Sequence, residues 1–188
     1  MTLTKPAILL VDGYNVIGAS PRLSQLRDQI GLEEARHRLT ELLVNYSAYQ
    51  GFATELIFDA YSQAQERAKQ ALTDHLSIAY TAHGQTADTY IERYCARFFR
   101  KDVRRFRMRL IVATSDRAQW LTAFGYGAEW MSSQKLLDAM NQTATQALHH
   151  SPKQPKPTRK QMGLAKSLDT QMQQKLARLR QELLNQGS

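Results

Sequence analysis

Four short apolar runs in the first 116 residues constrain this chain more than any other feature, because three of them terminate at an aspartate. They are AILLVD at 7–12, ATELIFD at 53–59, HLSIAYTA at 75–82 and MRLIVATSD at 108–116. Each is a short and nearly continuous apolar stretch bounded by turn residues, the pattern of a strand covered on both faces. Helical patterns lie between them. Residues 32–49 return apolar at Leu32, Ala35, Leu39, Leu42, Leu43 and Tyr46, and Ser20-Pro21 forms a cap and first-turn pair. Residues 87–99, 116–124 and 132–148 read as further helices, the second of them stopped near Gly125 and Gly127. Strands alternating with helices imply βαβ units, so the expected fold is α/β, with a mainly parallel central sheet of four or five strands flanked by helices.

The domain expected from these patterns spans residues 1–150. Three of the five prolines fall in SPKQPKPTRK, so 151–160 reads as an extended linker. Beyond it, Ala165, Leu168, Met172, Leu176, Leu179 and Leu183 mark one stripe of a basic amphipathic helix over 161–188. No apolar run approaches the ~20 residues that a membrane-spanning helix needs. The opening MTLTKPAILLVDG reads as a strand rather than a secretory leader, and the expectation is a cytoplasmic protein. A single cysteine, Cys95, excludes a disulfide framework within the chain and a thiolate zinc cage, and reads as a buried small hydrophobe.

Charge is unevenly placed. The net charge is +8, and residues 151–188 hold eight Lys/Arg against two acids. A second basic zone, from Arg93 to Arg109, holds eight basic residues against Asp102 alone, which leaves the remainder of the chain net acidic. Two basic zones on an otherwise acidic body suit a polyanionic partner, nucleic acid first.

The acids carry the chemistry. Ligands of a parallel sheet bind outside the carboxyl ends of its strands, where Asp12, Asp59 and Asp116 fall and where Asp88 opens the following helix. Carboxylates crowded at one edge repel one another and lose hydration, a cost that a cation removes. Mg²⁺ or Mn²⁺ fits best, since both accept carboxylate and water oxygens and leave positions open for phosphate. Glu92, one turn after Asp88, extends the cluster or closes a Thr89-x-x-Glu92 capping box. Asn15 orients a water or phosphate, or satisfies turn backbone. The reaction suggested is metal-assisted hydrolysis of nucleic acid.

The segment ILLVDGYNVIGASPRL (8–23) resembles the start of the YacP-like NYN domains, a PIN-like nuclease fold. The resemblance continues through ELIFDAYS (55–62), TADTYIER (86–93) and VATSDRAQWLTAFGYGAEWMS (112–132), in the same order over about the first 150 residues. It implies a metal-dependent endoribonuclease with Asp12, Asp88 and Asp116 as catalytic acids and metal ligands, Asn15 beside them, and Asp59 in a lesser role. The expected substrate is single-stranded RNA, mRNA included, with the ribosome as a further partner. Arg93, Arg97, Arg100, Lys101 and Arg104 would lead the RNA backbone to the acids, with Tyr90, Tyr94, Phe98 and Phe99 interleaved among them. The rival reading is an RNA-binding adaptor that keeps the fold without cleaving.

The charge distribution makes a direct prediction. Deleting residues 151–188 should weaken RNA affinity and flatten its salt dependence, by roughly 0.7 in logarithmic slope for each phosphate of a single strand that the tail had neutralised. Filter binding over a salt series reads this, and an unchanged slope would assign the tail another role.

Overall fold

The alternation of apolar runs and helical patterns becomes a six-stranded sheet in the computed structural model, which describes residues 6–60 and 68–150. In chain order the elements are β1 (Ala7–Asp12), α1 (Gly13–Ala19), α2 (Pro21–Gln29), α3 (Leu32–Gln50), β2 (Ala53–Phe58), β3 (Ala68–Ala71) and β4 (Leu76–Tyr80). They continue as α4 (Ala87–Lys101), a 3₁₀ turn (Val103–Phe106), β5 (Arg109–Ala113), α5 (Arg117–Tyr126), β6 (Glu129–Met131) and α6 (Ser133–His150). The strand order is β3-β4-β2-β1-β5-β6, with only β3 antiparallel to its neighbour. The linker and basic helix expected over 151–188 lie outside the described residues.

Successive side chains of a strand point to opposite faces, and the unbroken apolar runs feed two cores. Leu9 and Val11 of β1, Leu56 and Phe58 of β2 and Ile111 of β5 pack against α1, α2, α3 and α6. Ile8, Leu10, Ile57, Leu110 and Val112 turn the other way, onto Ile91, Cys95 and Phe98 of α4 and Ala123 of α5. All of β1 is buried, as a central strand with helices on both sides must be. Cys95 belongs to this second core, where burial pushes its thiol up to about 12, so it is an unreactive packing group.

The sheet has six strands, one more than the upper expectation, because two short edge strands that carry no buried apolar run join the four that the apolar runs mark. β3 is held by its pairing with β4 and by Lys69, whose Nζ lies 2.6 Å from the buried carboxylate of Glu55. β6 is three residues long and is pinned by the ion pair of Glu129 with Arg109. The Asp-Gly pair after β1 opens a helix directly, because Asp12 is the N-cap of α1. Gly13 is required there by close approach. A β-carbon on it would overlap the ring of Phe58, which itself packs on Tyr14 at 5.2 Å. Gly13→Ala should therefore destabilise the protein by about 1–3 kcal/mol through overpacking, despite alanine's better helix propensity. Urea unfolding measures this, and an unchanged midpoint would contradict it.

Candidate active site at the carboxyl edge of the sheet

All five strands of the parallel set end at one edge, where Asp12 ends β1 and Asp59 and Asp116 follow β2 and β5. Asp12 closes β1 and is 7% exposed. One of its oxygens accepts the backbone N–H of Asn15 at 3.1 Å, which satisfies a free donor at the start of α1. The other accepts Nε2 of Gln119 at 3.2 Å. The same Nε2 donates to Asp88 on the first turn of α4, so a single amide ties the acid at the end of β1 to the acid at the start of α4.

Burial is the main cause that lifts the Asp12 carboxyl from 3.8 to about 6, and the charges of Asp88 and Asp59 raise it further. The hydrogen bonds from Asn15 and Gln119 act in the opposite sense. Asp88 faces solvent, yet its carboxyl is also pushed up, first by partial burial and then by the charges of Asp116 and Asp59, against the bond from Gln119. The four aspartates therefore form one electrostatic group.

The remaining expected residues divide. Asp116 caps α5, accepting the backbone N–H of Gln119 at 2.9 Å, and stays exposed to solvent. Asp59 accepts the backbone N–H of Ala87 and so fastens the end of β2 to the start of α4. Asn15 acts as a brace: its Oδ1 accepts from the backbone N–H of Ser115 at 2.7 Å and from the Ser133 hydroxyl at 2.9 Å, which holds the loop before Asp116 over the turn after Asp12. Glu92 lines a small cleft of about 120 Å³ between α4 and α5, together with Asp88, Gln119 and Thr122. It closes no capping box, because Thr86 rather than Thr89 caps α4.

The basic residues do not all approach this edge. Helix α4 starts at the acids and runs away from them, so Arg93 and Arg97 follow Asp88 within a few turns, while Lys101 sits about 20 Å down the axis. The helix ends at Asp102, and Arg104 lies in the 3₁₀ turn, paired with Asp102 at 2.6 Å. Arg100, Lys101 and Arg104 thus lie toward the opposite edge of the sheet, and Arg93 and Arg97 are the ones of the five nearest the acids. The interleaved aromatics are not free for stacking either. Tyr90 and Phe98 are buried in the second core, with Tyr94 and Phe99 packed against it.

Sequence reasoning missed Gln119. Asp116-x-x-Gln119 has the spacing of a capping box, which marks a helix start but gives no reason to expect the amide to turn inward between two acids. Its Oε1 is buried without a hydrogen-bond partner among the described residues. Among the described residues, no group of three or more His, Cys, Asp or Glu lies close enough together to hold a metal ion as the side chains stand. The chemistry of the donor set nevertheless fits a hard divalent cation: it is all oxygen, the Asp12 and Asp88 carboxyls are raised first by burial and then by neighbouring aspartates, and one buried amide oxygen lacks a donor.

The model for the YacP-like NYN domain matches residues 9–181. The uncharacterized protein YacP of Bacillus subtilis (strain 168) is 36% identical over 131 residues, 69% of this chain and 72% of that protein. A crystal structure of Rae1 (YacP) from Bacillus subtilis superposes with TM-score 0.62 at 26% identity, covering 93% of this chain and 94% of that one. A second Rae1 crystal structure, of a single-substitution mutant, gives TM-score 0.61 at 30% identity over 76% and 79% of the two chains. No helix among the described residues is long and apolar enough to cross a membrane.

The raised Asp12 carboxyl fixes the sign of a pH effect. Between about pH 4 and 6 the folded protein keeps a proton that the unfolded chain releases, so without metal its stability falls as pH rises through that window. Asp12→Asn keeps a capping side chain and removes the charge. In chelator at pH 7.5 it should stabilise the protein by on the order of 1–3 kcal/mol, and by less at pH 5. Urea unfolding at the two pH values tests this, and a variant less stable than wild type at pH 7.5 would contradict it.

Proposed function

The chain belongs to the YacP-like NYN domain family, and we propose that it is a metal-dependent endoribonuclease hydrolysing phosphodiester bonds of single-stranded RNA. The family's fold is a nuclease-type, PIN-like fold, and nucleases of this kind generally use divalent metals. The observation that carries the reading is the buried Asp12 carboxylate tied through one amide to Asp88 at the carboxyl edge of the sheet. An arrangement that keeps acids together at a cost to stability makes sense where the acids bind something positive.

Asp12, Asp88 and Asp116 would hold Mg²⁺ or Mn²⁺, with Asp59 and Glu92 at the margin. A cation bound there supplies neutralising charge for the phosphate and an acidified water. The protein's own groups set the geometry. Asn15 holds the Ser115 loop and the turn after Asp12 in register, and Gln119 spaces Asp12 from Asp88. Arg93 and Arg97, exposed on α4, contact the phosphates on the approach. Attack by water with loss of the 3′ oxygen leaves a 5′-phosphate and a 3′-hydroxyl.

Cleavage of end-labelled RNA by wild type and by Asp12→Asn, with Mn²⁺ or with chelator, tests the proposal. The expected outcome is metal-dependent cutting that falls at least 100-fold in the variant, an order of magnitude typical for an essential catalytic group. A parallel arm with mRNA on translating ribosomes asks whether the ribosome presents the substrate. Ends bearing 2′,3′-cyclic phosphate would overturn the hydrolytic route. RNA binding without cutting in either arm would favour the non-cleaving adaptor.

A further inference from the structure

Beside the acids lies an aromatic pair with no part in the chemistry so far described. The rings of Trp120 on α5 and Trp130 on β6 sit 5.3 Å apart with their planes 31° from parallel. Phe124 meets Trp120 edge-on at 6.4 Å. Trp130 is 46% exposed and Phe124 65% exposed, although rings of this size are ordinarily covered.

The pair is tied to the catalytic edge by short links. Nε1 of Trp130 donates to the carbonyl of Thr114 at 2.8 Å, and Oγ1 of Thr114 accepts the backbone N–H of Asp116 at 3.0 Å. Trp120 directly follows Gln119, the residue whose amide touches Asp12 and Asp88. The indole nitrogen of Trp130 is thus already spent inside the protein, and what it offers outward is a flat π surface. Such a surface cannot read hydrogen-bond patterns, but it stacks on any base that is not already stacked in a duplex.

We propose that Trp120 and Trp130 form a stacking platform for an unpaired base next to the scissile phosphate, which makes the site selective for single-stranded over double-stranded RNA. The inference deepens the endoribonuclease reading and rests on it. The division of labour is physical: phosphates go to the cation and the arginines of α4, and the neutral bases go to the indoles.

The chain contains two tryptophans, and both belong to this pair, so intrinsic tryptophan emission reports on the platform alone. The test titrates the full-length Asp12→Asn protein with an unstructured RNA oligonucleotide and with a blunt RNA duplex of equal length. Emission and the anisotropy of an end-labelled copy are both followed. The single strand should quench the emission and the duplex should not. Trp130→Leu should weaken single-strand affinity roughly 10-fold, whereas Trp130→Phe, which also loses the bond to Thr114 but keeps a ring, should retain most of it.

Binding without any emission change would overturn the platform, as would Trp130→Leu weakening single strand and duplex alike. An emission change that depends on protein concentration without RNA would assign the patch to a second copy of the chain and also overturn it. Wild type that fails to cut RNA, while the quenching and the weaker binding of Trp130→Leu persist, sinks the nuclease reading and leaves the platform standing. Metal-dependent cutting with no quenching sinks the platform alone.

Discussion

A carboxylate buried at the end of the central strand, with other aspartates beside it, is the constraint around which the rest of this molecule is arranged. A buried aspartate is ordinarily avoided or paired with a base. Asp12 has neither a lysine nor an arginine among its hydrogen-bond partners; it has a backbone N–H and one amide. Those two bonds do not offset its burial and the neighbouring charges, and its carboxyl stays lifted to about 6. The protein therefore carries a local instability in its central strand, supported by the two cores that flank the sheet.

The support is specific to position. Asn15 links the turn after β1 to the loop after β5 and to the first residue of α6, so three separate stretches of chain are held at the site by one side-chain oxygen. Asp59 plays the same part between β2 and α4. Gln119 completes the frame from α5. At the end of the central strand β1, Phe58 closes over Gly13 and excludes any larger residue from the turn. The acids are thus held by elements whose own packing is fixed, as a preorganised polar site requires.

Much of this was legible from the chain. The buried runs at β1, β2, β4 and β5 were visible because strands covered on both faces have no polar alternation, and an aspartate after such a run marks the carboxyl edge. The helix over α3 was visible from its apolar period. What escaped was whatever depends on tertiary contact. β3 has no buried run and exists through its ladder with β4 and the Lys69–Glu55 pair, and β6 is only three residues long. Gln119 reads locally as a capping residue, and only the fold reveals that its side chain turns inward. The basic residues from Arg93 to Arg104 read as one set leading to the acids, but a helix that starts at the acids carries its far end away from them, and Arg93 and Arg97 are the ones that remain near. The paired indoles stood in the segment that carried the resemblance, yet nothing in their spacing distinguished them from core residues such as Phe98.

The account stands or falls on whether Asp12, Asp88 and Asp116 bind a divalent cation at this edge of the sheet. The most direct measurement is the thermal midpoint of the metal-free full-length protein at pH 7.5 against rising Mn²⁺, for wild type and for Asp88→Asn. A ligand that binds only the folded state raises the midpoint as its concentration passes the dissociation constant. The account predicts a saturable rise in wild type that Asp88→Asn loses or shifts to much higher concentration. A wild-type midpoint that Mn²⁺ leaves unmoved, or an equal rise in both proteins, would contradict it.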